Sequence, residues 1–118
     1  MSTYPPDQVQ ELKQFCDKLK SFPEGGVTYF LMEGTNLPDG CSPAKCDVVF
    51  RPIDSGDGYM SRLYFDVVVK CPYARNWNVT NARLAERNWH AFSWKVNVTN
   101  FTLAQLVREH LSALVRTV

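Results

Sequence analysis

Asp47-Val48-Val49-Phe50, then Asp54-Ser55-Gly56-Asp57-Gly58, then Tyr59 through Leu63-Tyr64-Phe65 to Lys70: the fold turns on this stretch. The first run is β-branched and aromatic, and Pro52 closes it. The second is polar and glycine-rich, the chemistry of a hairpin connection. In the third, Leu63, Phe65, Val67 and Val69 share one face of a strand from Tyr59 to Lys70. Its end, Val67-Val68-Val69, is apolar on both faces, which predicts cover on both sides.

Upstream, Val27 to Met32 reads as a strand that stops at Glu33-Gly34. The loop Thr35-Asn36-Leu37-Pro38-Asp39-Gly40-Cys41-Ser42-Pro43 is turn chemistry throughout. Three strands with short connections imply an antiparallel meander. Before it, Val9, Leu12, Phe15, Cys16 and Leu19 recur at helical spacing. Asp7 is placed to cap that helix with Gln10 completing the box, and Pro23 with Gly25-Gly26 ends it.

Downstream, residues 71 to about 81 form an irregular crossover. Asn81 is read as the cap of a short helix carrying Leu84 and Ala85. A change to strand near Asn88 is favoured, because His90, Phe92, Trp94, Val96 and Val98 alternate. The last element is a helix: Thr102 caps, Gln105 returns the box, and Leu103, Leu106, Val107, Leu111, Leu114 and Val115 make one stripe. The expectation is one α+β domain over residues 1–118, with N-terminal helix, antiparallel β-meander, irregular crossover and C-terminal helix.

Hydrophobic residues at 45% and charged residues at 21% suit a folded chain. The formal net charge of +1, from 13 basic and 12 acidic residues, argues against a nucleic-acid or anionic-membrane surface. No apolar run approaches the roughly 20 residues of a transmembrane helix. The first residues lack the basic and apolar stretches of a signal peptide, so a cytoplasmic protein with Cys16, Cys41, Cys46 and Cys71 as thiols is expected. Asn78, Asn97 and Asn100 head N-x-Thr sequons and are then coincidental. Neither a zinc pattern, a phosphate-binding loop nor a Cys-x-x-Cys is present, and no cofactor or metal is expected.

The order of elements resembles the ubiquitin-conjugating superfold, in particular a short bacterial branch of it. Leu37-Pro38-Asp39-Gly40, Asp47-Val48-Val49, Leu63-Tyr64-Phe65, the run Trp89-His90-Ala91-Phe92-Ser93-Trp94 and the helix opening at Thr102-Leu103 carry the resemblance. It spans most of residues 27 to 116. It implies a transferase-like carrier that accepts a ubiquitin-like modifier from an activating enzyme and passes it on. It also implies a docking face on the first helix, here Glu11, Lys13, Asp17, Lys18 and Lys20; a plain solvated face is the alternative.

Two side chains compete as nucleophile. Cys71 follows the long strand and offers a thiolate, the better acyl carrier. Ser93 lies nine residues before Thr102, near where the resemblance places the catalytic residue. His90 is three residues ahead of Ser93 and is a candidate base or oxyanion donor, or else a hydrogen-bonded core histidine. His110, in the last helix, is read as structural. Two departures weigh against catalysis: the His-Pro-Asn triplet of ubiquitin-conjugating enzymes is absent, and Lys95 stands where the bacterial branch has a histidine. An inactive adaptor of the same fold and an unrelated α+β interaction domain remain the competing readings.

Overall fold

The computed structural model describes residues 4–73, 75–96 and 100–116. Among them the chain runs through helix α1 (Pro6–Glu11), a 3₁₀ turn (Leu12–Phe15), strands β1 (Lys18–Glu24), β2 (Val27–Asn36), β3 (Lys45–Arg51), β4 (Arg62–Phe65), β5 (Val79–Leu84) and β6 (Arg87–Ala91), then helix α2 (Leu103–Ser112). The strands pair antiparallel in the order β1-β2-β3-β4-β6-β5.

The alternation of the central strands builds two cores. Phe30, Met32, Val48, Phe50, Leu63 and Phe65 point to one face, where they bury Leu12 and the α2 residues Leu103, Val107 and Leu111. Val27, Tyr29, Val49 and Tyr64 point to the other, where they pack on Leu84, Trp89 and Ala91 of the β5–β6 hairpin. That hairpin curls back over the second face. Its turn residue Ala85 donates its N–H to Glu24 of β1, at the opposite edge of the sheet, and Arg87 reaches Asp47 of β3. Fully burying aromatics of this size contributes roughly 1.5–3 kcal/mol each. Trp89, Phe30, Phe50 and Phe65 are all fully buried.

Helix α2 forms as its sequence dictates. Thr102 Oγ1 accepts from Gln105 N, and Gln105 Oε1 accepts from Thr102 N, the two halves of a capping box. The first helix departs from expectation. It starts at Pro6 with no side-chain cap and ends at Glu11, and Leu19 lies in β1. Gly25 and Gly26, at φ of 59° and 79°, supply the two left-handed residues of a tight hairpin. That turn lets residues 18–24 zip along β2 in seven consecutive pairs. A ladder of that length overrides the helical spacing of Leu19.

Three further corrections follow from pairing. The strand expected over Tyr59–Lys70 is regular only at Arg62–Phe65; Val67 and Val68 are exposed, and only Val69 of the three is buried. The short helix expected after Asn81 is instead the β5–β6 hairpin, turning at Ala85 and Glu86 with φ of 50° and 62°. Asn81 itself sits at φ 59° in a bulge rather than at a helix start. The following strand ends at Ala91, short of Phe92, Trp94 and Val96, and Val98 of the expected alternation lies outside the described residues.

Candidate functional site

The loop between β3 and β4 is organised by charge. Arg51 is fully buried, with Nε donating to Ile53 O, Nη1 to Ser55 Oγ, Asp57 Oδ2 and Tyr64 OH, and Nη2 to Asp57 Oδ1 and Tyr59 O. Arg62, 3% exposed, donates to Asp57 Oδ2 at 3.1 Å. Burial pushes the Asp57 carboxyl up, but the bonds from Arg51, Tyr59 N and Arg62 outweigh it and hold it at about 2. One carboxylate thus faces two buried guanidinium groups, and the corner keeps a positive excess.

Tyr59 leads from this network to Ser93. The Arg62 guanidinium lies 3.9 Å over the Tyr59 ring, and Lys95 Nζ is 5.3 Å from its centre. The Tyr59 hydroxyl and Ser93 Oγ are 2.9 Å apart, Asn78 Nδ2 donates to the same phenol, and Arg62 Nη2 donates to Asn78 Oδ1 at 2.6 Å. The bond from Ser93 lowers the phenol's pKa against the opposing effect of burial, and Asn78, Arg62 and Lys95 lower it further. Ser93 N also donates to Asn76 O at 2.6 Å, which pins its backbone to the crossover. Tyr59, half-buried, holds Ser93 through a hydroxyl–hydroxyl bond in which either oxygen can donate.

His90 does not complete that arrangement. It pairs with Phe65 in the sheet, and its Nδ1 accepts from Asn81 N at 3.3 Å. The ring is held by the hairpin backbone, and Ser93 is held by Tyr59. His110 is 2% exposed, and its Nε2 shares a hydrogen bond of 2.8 Å with Ser61 Oγ, on the wall of a cavity of about 270 Å³ between the β3–β4 loop and α2. Burial drives its pKa down to about 4, with Glu109 opposing and Arg51 and Arg62 adding.

Cys71 occupies a different corner. It is half-buried against the first core, and its Sγ donates to Tyr73 O at 3.0 Å. The preceding residue Lys70 forms a two-bond antiparallel bridge with Ser42. Cys41, the neighbour of Ser42, packs on the same core. Cys46 is buried in β3, and burial first, then Asp66 and Asp47, push its thiol up to about 12. It is a protonated core residue.

The charges assigned to a docking helix are spread over different elements. Only Glu11 lies in α1; Lys13 is in the 3₁₀ turn, Lys18 and Lys20 are in β1, and Asp17, just before β1, pairs with Lys45 at 2.9 Å. A groove between α1 and β1, lined by Val9, Lys13 and Leu19, runs beside them. Among the described residues, no three of His, Cys, Asp and Glu converge to hold a metal ion, and no helix is long and apolar enough to cross a membrane.

Sequence reading missed Tyr59 as the partner of Ser93, and Asn78 and Arg62 behind it. The signal for them was faint: a polar loop whose Asp57 had two arginines, Arg51 and Arg62, within reach on the flanking strands. Cys41 as a neighbour of Cys71 carried no signal at all. No family model matches the sequence, and no curated protein or solved structure matches it either.

Proposed function

We propose that this protein is a ubiquitin-conjugating-like carrier of a bacterial ubiquitin-like modification pathway, with Cys71 as the acyl-accepting thiol. The observation that carries the reading is the order of elements around that thiol. A helix and four consecutive antiparallel strands lead to Cys71, and a capped helix packed on the same core follows it. In the reaction, the Cys71 thiolate attacks the thioester that joins the modifier's C-terminus to the activating enzyme. The activating enzyme's thiol leaves, and an amine of the target later displaces Cys71. Ser93 is the weaker candidate, because its hydroxyl and the ring of His90 are each engaged elsewhere.

That same engagement favours a second reading, an adaptor of the same shape that binds the modifier or the activating enzyme without covalent chemistry. A loading assay with activating enzyme, ATP and modifier separates the two. An adduct cleaved by thiol and lost in Cys71→Ala supports the carrier. A thiol-resistant, hydroxide-labile adduct lost in Ser93→Ala moves the chemistry to an oxyester at Ser93. No adduct, with the activating enzyme itself charged, sinks the carrier and leaves the adaptor.

A further inference from the structure

The loop before β3 and the segment after β4 meet at one short antiparallel contact. Ser42 N donates to Lys70 O at 2.7 Å and Lys70 N to Ser42 O at 2.9 Å, so these two residues face each other as a hydrogen-bonded pair. One step outward along the two chains, the residues brought opposite each other are Cys41 and Cys71. A step further, Gly40 and Pro72 are in close approach: a Cβ on Gly40 would stand 3.0 Å from Pro72 Cγ. The facing register therefore holds on both sides of the cysteines.

Residues next to a hydrogen-bonded antiparallel pair face each other across a non-hydrogen-bonded site, with Cα atoms about 4.5 Å apart. Disulfides form over Cα separations of roughly 4.4–6.8 Å. Cross-strand neighbours also project to the same face, and both cysteines pack on the same core cluster. Both are half-buried, so a small reagent has access to them, whereas Cys46 is enclosed.

We propose that Cys41 and Cys71 are an oxidisable dithiol, which closes to an intramolecular disulfide by exchange with a low-molecular-weight disulfide such as oxidised glutathione. In the first step the Cys71 thiolate attacks the reagent's S–S bond, giving a mixed disulfide at Cys71 and releasing one glutathione thiol. The Cys41 thiolate then attacks the Cys71 sulfur and expels the second glutathione thiol. Two protein thiols are oxidised, one external disulfide is reduced to two thiols, and the protein protons pass to the departing thiolates. Burial disfavours the Cys41 thiolate, with Cys71 adding to the effect, so Cys41 is written as the second to attack. On the carrier reading, the same closure withdraws Cys71 from acyl transfer; the mapping below tests the pair without that reading.

The test incubates the full chain with oxidised and reduced glutathione at set ratios, quenches with acid, blocks free thiols with a maleimide and maps the peptides by mass spectrometry. The expected product is a single Cys41–Cys71 link, with Cys16 and Cys46 carrying maleimide. A neighbouring thiol at an effective concentration on the order of millimolar or above should consume the Cys71 mixed disulfide at least ~10-fold faster in wild type than in Cys41→Ser. Cys46→Ser should close as wild type does. Stable glutathione adducts on both Cys41 and Cys71 of the wild type, a Cys41–Cys46 link, or equal rates in wild type and Cys41→Ser would each overturn the pair.

Discussion

Ser93 and Cys71 are both chemically able to carry an acyl group, yet their surroundings differ in kind. Ser93 is tied to Tyr59 and, through that phenol, to Asn78, Arg62, Asp57 and Arg51, a network in which nearly every polar atom has a partner. Cys71 makes one hydrogen bond to a neighbouring carbonyl and otherwise leans on apolar side chains. The difference teaches where stability and reactivity part company. A hydroxyl held in a charged network is well placed but committed; a thiol whose side chain makes one bond to a nearby carbonyl is less committed.

The largest effect on the charged corner is expected at Asp57. It is the single carboxylate against two arginines that are 0% and 3% exposed. Removing one member of a fully buried pair costs about 3–5 kcal/mol, and Asp57, part-exposed beside two buried guanidinium groups, sets the expectation at about the lower end of that range. Asp57→Asn is expected to lose that much in urea denaturation. A loss under about 1 kcal/mol, the ordinary worth of a surface pair, would show that the corner is not built on this carboxylate.

Next in size is an acid effect from His110, behind the same corner. Its folded pKa of about 4 lies below the ordinary 6.5, so between those values the unfolded chain binds more protons than the folded one. Stability then rises with pH through that window and is lost as pH falls from about 6.5 toward about 4, a tenfold difference in proton affinity being worth about 1.4 kcal/mol. Asp57 acts lower: its depressed pKa contributes stability that is complete above 3.8 and fades as pH falls through about 2. His110→Gln should flatten the upper window and leave the lower one. Denaturation midpoints against pH in the two chains check it, and an unchanged slope would refute it.

Ser93→Ala probes the tied hydroxyl itself. It should cost about 1 kcal/mol, the net worth of one hydrogen bond, and should move the Tyr59 phenol back up toward its ordinary range, read by NMR titration of ring-labelled tyrosine. A phenol that does not move would place its perturbation with Arg62 and Lys95 instead. The smallest structural effect is expected at Cys71→Ala, a change within about 1 kcal/mol, because a half-buried thiol leaves little cavity. Its loading activity should nonetheless vanish, whereas Ser93→Ala should load normally. The reverse pattern would exchange the roles of the two corners.

Parts of this architecture were legible in residues alone. The Thr102–Gln105 box and the stripe through Leu103, Val107 and Leu111 define α2 because every interaction involved closes within one or two turns. Leu63, Phe65 and Val69, read on one face of their strand, do lie in the first core, because a strand's period shows which side is buried, while Val67 of that face is exposed. Other parts were misread where a local signal lost to a distant partner. The helical spacing of Leu12, Phe15 and Leu19 is real, but residues 18–24 gain seven pairs with β2 by leaving the helix. The Gly25-Gly26 pair was the available warning, since glycines at two positive φ angles build a hairpin. The β5–β6 turn gave no such warning, because Ala85 and Glu86 adopt positive φ without the glycine or asparagine that normally marks it. The far-side bond from Ala85 N to Glu24 and the burial of Trp89 beneath the hairpin hold that backbone in place.

The candidate site divides along the same line. The order of apolar runs pointed to an α+β chain with a central antiparallel meander and a capped C-terminal helix; the reading of Cys71 and Ser93 as acyl carriers came from the family resemblance, not from composition or spacing. Only the tertiary structure decided their neighbours. It set Tyr59 against Ser93, 34 residues apart in the chain, turned His90 to the hairpin backbone, and bridged Ser42 to Lys70 beside Cys41 and Cys71. Periodicity and capping report bonds that a segment makes with itself, whereas reactivity depends on which groups a folded sheet brings into contact from separate segments.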